Sequence, residues 1–151
     1  MIKPALLKEQ VLFEDIDEAG LESIANIIKK LSFKKGECLF REKEDTKGLY
    51  LIHSGKVEIS KVTADGWKQT LAIFTKGHFL GELSILEKRL HEANAIALED
   101  TETFLIPKED FERMEKENLS LASKIIKKLL IIMCKNLRRM NEKFINALIS
   151  Y

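Results

Sequence analysis

Two cysteines in 151 residues, Cys38 and Cys134, are too few and too far apart for a disulfide framework or a clustered metal site. Both are expected as buried thiols, the usual setting of a free cysteine, rather than as redox groups. No apolar run approaches the roughly 20 residues needed to cross a bilayer. Residues 1–10 also lack the charged start, apolar middle and small-residue cleavage site of a secretion signal, so a cytoplasmic location is expected. The three histidines, His53, His78 and His91, form no His-x-His pair, and there is no nucleophile elbow, P-loop or Rossmann fingerprint. An enzyme is therefore not expected, no metal site is expected, and each histidine is read as a surface or turn residue.

What is present is one domain's worth of chain, 45% hydrophobic and 32% charged, enough to bury a core without covalent help. Twenty-five basic and 24 acidic side chains leave a formal charge of +1, but unevenly spread. From residue 120 onward Glu142 is the one acid, against Lys124, Lys127, Lys128, Lys135, Arg138, Arg139 and Lys143. A solvated helix face explains this better than a nucleic-acid or membrane surface.

Residues 13–30 carry apolar side chains near helical spacing at Ile16, Leu21, Ile24, Ile27 and Ile28, with acids early and lysines late, which predicts a helix or helix pair. Across 31–106 the pattern changes to short β-branched and aromatic runs punctuated by glycine. A hairpin is predicted between 57–62 and 69–74, where Asp65-Gly66 tolerates the positive φ of a tight turn. Ser54-Gly55 marks another turn, and Lys35-Gly36 and Lys76-Gly77 two more. Such spacing predicts a barrel, sandwich or jelly roll. After it, Pro107 suits a first helical position, and Phe111 and Met114 would dock a short helix on the barrel.

The last element is the longest. Ile126, Leu130, Met133, Leu137, Met140, Phe144 and Ala147 recur at alternating steps of four and three, the seam of a two-stranded coiled coil, which predicts a homodimer. A second stripe, Leu121, Ile125, Leu129 and Ile132, stops where Asn136 and Arg139 begin. The first half of the helix thus has two faces to bury, against barrel and partner, and the second half has one.

The densest pattern is Gly77-His78-Phe79-Leu80-Gly81-Glu82-Leu83-Ser84-Ile85-Leu86, followed by His91-Glu92-Ala93-Asn94-Ala95. A glycine-led turn entering a short helix leaves backbone N–H groups free to hold an anion. Read by itself, Glu82 is an exposed helix-start acid that suits the dipole. With Lys35-Gly36-Glu37-Cys38-Leu39-Phe40 and Leu49-Tyr50-Leu51-Ile52-His53-Ser54-Gly55-Lys56-Val57 before it, this order of features closely resembles the cyclic nucleotide-binding domain family, as in the sensor domains of catabolite-activator and FNR-type regulators, from Leu12 to about Asn146.

The resemblance implies a mainly β fold with flanking helices. It is a jelly-roll-like β-roll, a double-stranded β-helix over 31–106, with an N-terminal helical segment over 1–30 and a short helix plus a long dimerisation helix over 107–151. It implies that the amides of Gly81, Glu82, Leu83 and Ser84 cradle a cyclic phosphate while Glu82 takes the ribose hydroxyl. Where the family has an arginine, then a small residue and an alanine, this chain has His91, Glu92 and Ala93. A histidine mostly neutral at pH 7 replaces a charged fork, and a carboxylate follows, so binding of cyclic AMP or cyclic GMP is expected to be weak or lost. Arg89 either swings in to supply the charge or stays an exposed loop arginine. His91 either protonates at mildly acidic pH or sits neutral against a backbone carbonyl. Asn136 either reaches a ligand or faces solvent or the dimer.

Three functions are compatible with this reading. The first is a ligand-sensing regulatory module for a cyclic nucleotide or another small anion; the second is a ligand-free dimerisation scaffold. The third is the sensor part of a transcription regulator. No direct DNA binding is expected, because no helix-turn-helix follows before Tyr151 and the basic residues of the long helix are scattered around its circumference. The length favours a stand-alone module.

Overall fold

The structure, a computed structural model, describes residues 2–150. Helix α1 (Pro4–Leu7), a 3-10 turn (Val11–Phe13) and helix α2 (Glu18–Ile27) open the chain. Asp17 caps α2 by accepting a hydrogen bond from the Gly20 N–H at 2.8 Å. The helix ends earlier than its apolar spacing predicts: Ile28 is already extended, and Lys29 and Lys30 begin a strand. Pairing with residues 101–105 wins there over the lysines' fit to a helix C-terminus.

Eight strands follow: β1 (Lys29–Phe33), β2 (Cys38–Phe40), β3 (Gly48–Ser54), β4 (Val57–Val62), β5 (Lys68–Phe74), β6 (Phe79–Leu80), β7 (Asn94–Ala97) and β8 (Thr101–Pro107). They form two four-stranded antiparallel sheets, ordered β1-β8-β3-β6 and β2-β7-β4-β5, the mainly β architecture expected. The predicted hairpin is β4–β5, with Gly66 at φ 85°. The Ser54-Gly55 turn does not pair the strands it joins but carries the chain from one sheet to the other. This is how a roll closes.

Strands β3 and β8 explain why two cores form. Leu49 and Leu51 of β3 and Phe104 and Ile106 of β8 face the helices, in a core with Phe13, Leu21, Ile24, Phe111, Leu121, Ile125 and Leu129. Their alternate neighbours Tyr50, Ile52 and Leu105 face the interior of the roll, with Leu39, Phe40, Val57 and Leu80. Successive strand side chains point to opposite faces, so a strand covered on both reads as an unbroken apolar run.

Pro107 differs from its predicted place. It ends β8 opposite Gly48, and its extended backbone precedes α4 (Lys108–Glu117) instead of forming the first helical residue. Phe111 and Met114 are buried as expected. The 31-residue α5 (Leu119–Ile149) buries Leu121, Ala122, Ile125 and Leu129. Lys128 fastens it to the N-terminal segment through Glu14 and, at 2.9 Å, Asp15, and these two acids raise the lysine's pKa. No described helix is long and apolar enough to cross a membrane.

Candidate functional site

Strand β6 delivers the chain to Gly81, which takes φ 85° and ψ 9°, and helix α3 (Glu82–Glu87) begins at once. Glycine is required for two reasons. An L side chain resists this left-handed backbone, and a Cβ at 81 would stand 3.0 Å from the Gly48 carbonyl oxygen. The stretch over 81–84 is thus a sharp turn into a helix, with no side chain capping its first turn.

Gly81, Glu82, Leu83, Ser84, His91, Glu92 and Ala93 line one cavity of about 110 Å³, with Phe40, Ile59, Phe74 and Leu80 as further walls. Two groups in it differ from their sequence reading. Glu82 is half-buried, and burial raises its carboxyl pKa, while a hydrogen bond from its own N–H works in the opposite direction. His91 is not a surface or turn residue but 4% exposed. Its ring stacks on Phe40 with centroids 3.7 Å apart and planes 6° apart. The Phe40↔Ala95 pairing of β2 with β7 brings the two together from distant parts of the chain. Nδ1 lies 3.2 Å from the Ser84 hydroxyl, so its partner is the cassette and not a backbone carbonyl, and Nε2 has no partner among the described residues. The backbone around it is also fixed: the His91 N–H donates to the Glu44 carbonyl at 2.9 Å, and the Lys43 N–H donates to the His91 carbonyl at 2.7 Å. Burial lowers the imidazole pKa and the Glu44 carboxylate partly restores it, so the ring is neutral at pH 7.

Arg89 is exposed and lies outside the cavity lining, bonded to Glu87 at 2.9 Å and Glu92 at 3.0 Å. Of the two readings open to it, the structure has the loop arginine. Glu92 does line the cavity, but with Arg89 against its carboxylate its repulsion toward an anion is smaller than an unpaired acid's. Sequence reasoning missed Phe40, Phe74, Ile59 and Leu80 as cavity walls. They lie on separate strands and carry no local signal beyond apolarity.

A second, open groove of about 430 Å³ runs from Glu82 and Leu83 to Leu130, Met133, Cys134, Asn136, Leu137 and Met140 of α5. Asn136 is exposed there. Leu130, Leu137, Met140 and Phe144 are each at least 58% exposed, while Ile126 and Met133 are partly covered. Cys134 is exposed, against expectation, because it lies on the side of α5 that lines the open groove; Cys38 is half-buried. His53 is half-buried and His78 exposed in the 75–78 turn, where the Thr75 N–H donates to its Nδ1 at 3.0 Å. Among the described residues no three His, Cys, Asp or Glu side chains group to hold a metal.

Two four-stranded sheets closed into a roll, a glycine-led turn into α3 and a long C-terminal helix define a domain of the β-roll class. Residues 30–118 match the family model for the cyclic nucleotide-binding domain, and the chain belongs to that family. It is 35% identical over 129 residues to the anaerobic regulatory protein of Bacillus subtilis, covering 85% of this chain and 52% of that one. To the cyclic AMP receptor protein of Thermus thermophilus it is 29% identical over 105 residues, 70% of this chain and 49% of that one. It superposes on the crystal structure of the Thermus thermophilus catabolite activator protein with a TM-score of 0.76 at 25% identity, covering 89% of this chain and 62% of that one. The chain spans about half the length of these curated relatives.

Proposed function

We propose that this domain is a ligand-sensing regulatory module in which the anion cradle persists without its cation, so that cyclic AMP and cyclic GMP bind weakly, and which dimerises through α5. One observation carries the reading: the position after the cassette holds a buried imidazole committed to Phe40 and Ser84, while the nearby Arg89 is held on the surface by two glutamates. A hydrogen bond to a charged group contributes about 1.5–3 kcal/mol, so its loss weakens a phosphate ligand roughly tenfold to more than a hundredfold. The exposed seam from Leu130 to Phe144 supports a second copy as partner, because contiguous apolar surface at this spacing is stable when buried against a like helix. Similarity to regulators over half their length supports the role of sensing part.

The ligand-free scaffold is the second reading. It is favoured by the size of the cavity, about 110 Å³, against the roughly 300–1,000 Å³ of ordinary ligand pockets. Thermal unfolding with and without about 0.1 mM cyclic AMP or cyclic GMP tests the proposal. Micromolar affinity would add about 2.7 kcal/mol at that hundredfold excess, a rise of several degrees. Little or no shift is expected; a rise of that size with either nucleotide overturns the proposal.

A further inference from the structure

Helix α3 has few attachments of its own. No side chain caps its first turn, residues 86–90 are all exposed, and Ile85 is a partly buried neighbour of the helical core. Ser84 is the one buried side chain of the helix, and its hydroxyl is bonded to the His91 ring. Position 91 in turn belongs to the roll. Its N–H and carbonyl are pinned by the Glu44 carbonyl and the Lys43 N–H, and its ring lies on Phe40 of β2. One imidazole therefore ties the cassette helix to the sheet.

That tie suits a neutral ring. Nε2 is buried without a partner among the described residues, so a protonated ring would carry its charge, and an Nε2–H with no acceptor, in a site 4% exposed. The surrounding groups answer such a charge poorly. Glu44, on the loop before β3, raises the imidazole pKa, but its Oε2 already accepts from the Arg41 N–H at 3.3 Å. Burial pushes the Glu82 carboxyl of α3 and the Tyr50 phenol of β3 toward their neutral forms. Glu92 is bonded to Arg89, and Phe40 carries no charge. With the backbone at 91 pinned, the ring is the part free to turn out toward water.

Resting on the proposed sensing role and naming how that site is regulated, we infer that His91 is a proton-controlled latch: the neutral ring holds Ser84 and closes α3 on the roll, and a protonated ring leaves the Phe40 stack and frees the helix. The cassette is then latched at pH 7 and released in mild acid, below the ordinary imidazole value of 6.5.

Carbon-13 shifts of the isotope-labelled full chain between pH 7.5 and 5 test this. The His91 ring carbons report its titration, and the Cα shifts of residues 83–87 report helix α3. Both are expected to move with one midpoint, α3 losing about half or more of its helical shift, while β3 and β8 stay native. Ser84→Ala, which cuts the tie and leaves the imidazole, is expected to show the loosened α3 already at pH 7.5. His91→Phe, which keeps a ring on Phe40 and cannot titrate, is expected to show no pH dependence over 83–87. The latch is overturned if His91 does not titrate above pH 5, or if it titrates while α3 keeps its shifts. It is equally overturned if α3 responds as much in His91→Phe, if it melts only together with β3 and β8, or if Ser84→Ala leaves it native. The two claims fail separately: tight cyclic AMP binding at neutral pH removes the proposed loss of the cation, while these shifts judge the latch.

Discussion

On the proposed reading, a cation placed at position 91 should create or strengthen cyclic-nucleotide binding. In His91→Arg combined with Glu92→Ser, a guanidinium replaces the imidazole at the cavity wall and the carboxylate beside it disappears. The gain in cyclic AMP affinity is that of a charge-assisted contact, about 1.5–3 kcal/mol, or tenfold to more than a hundredfold. The change also removes the Phe40 stack and the Ser84 hydrogen bond. These contribute about 0.5–1.5 kcal/mol each, and the unliganded double variant is expected to unfold at a lower temperature than the parent. Ligand then stabilises it more than it stabilises the parent. Isothermal titration of parent, double variant and Glu92→Ser alone reads the outcome. Glu92→Ser also releases Arg89 from one of its two partners. If it reproduces the whole gain, position 91 is not where the charge is needed, and if the double variant binds no better than the parent, the account of the cavity is wrong.

Three further outcomes are expected. Met133→Glu with Met140→Glu places charge on the α5 seam and should convert a dimer to a monomer in sedimentation velocity; an unchanged sedimentation coefficient removes the seam. Gly81→Ala forces an alanine to φ 85° with its Cβ 3.0 Å from the Gly48 oxygen, and should cost about 1–2 kcal/mol or more of stability by denaturant unfolding; a cost near zero means that the turn relaxes freely. Because burial depresses the His91 pKa in the folded state, protonation favours the unfolded chain, so the stability it contributes is complete above the unfolded value of about 6.5 and is lost as pH falls below it. Denaturant midpoints at pH 7.5 and 5 should therefore separate more for the parent than for His91→Phe, and equal separations contradict a buried neutral ring.

Elements with local causes were legible in the residues. Asp65-Gly66 announces the β4–β5 hairpin because turn chemistry acts within four residues, and the two stripes of α5 separate its buried half from its exposed half by spacing alone. The cassette was legible as a glycine-led turn into a helix, and position 91 as an imidazole where the resemblance implies an arginine. The destination of His91 was not. Its burial follows from β2 pairing with β7, which sets Phe40 under the imidazole from 51 positions away, and no local pattern encodes that meeting. Pro107 was misplaced by one residue for a similar reason: partnership with Gly48 keeps it in β8 although its ring would also open a helix. Cys134 was read from the habit of its residue type, yet the helix turns it outward into the open groove. Local chemistry decides turns and helices; pairing across the sheet decides what surrounds the cavity.

Comparing adenosine with cyclic AMP by calorimetric titration of the unaltered protein at neutral pH is the most direct check, because the two share a base and a sugar and differ in the phosphate. Without a cation at position 91, adenosine should bind at least as well as cyclic AMP. Cyclic AMP binding tenfold or more tightly than adenosine would show that the phosphate charge is still recognised, and would contradict the account.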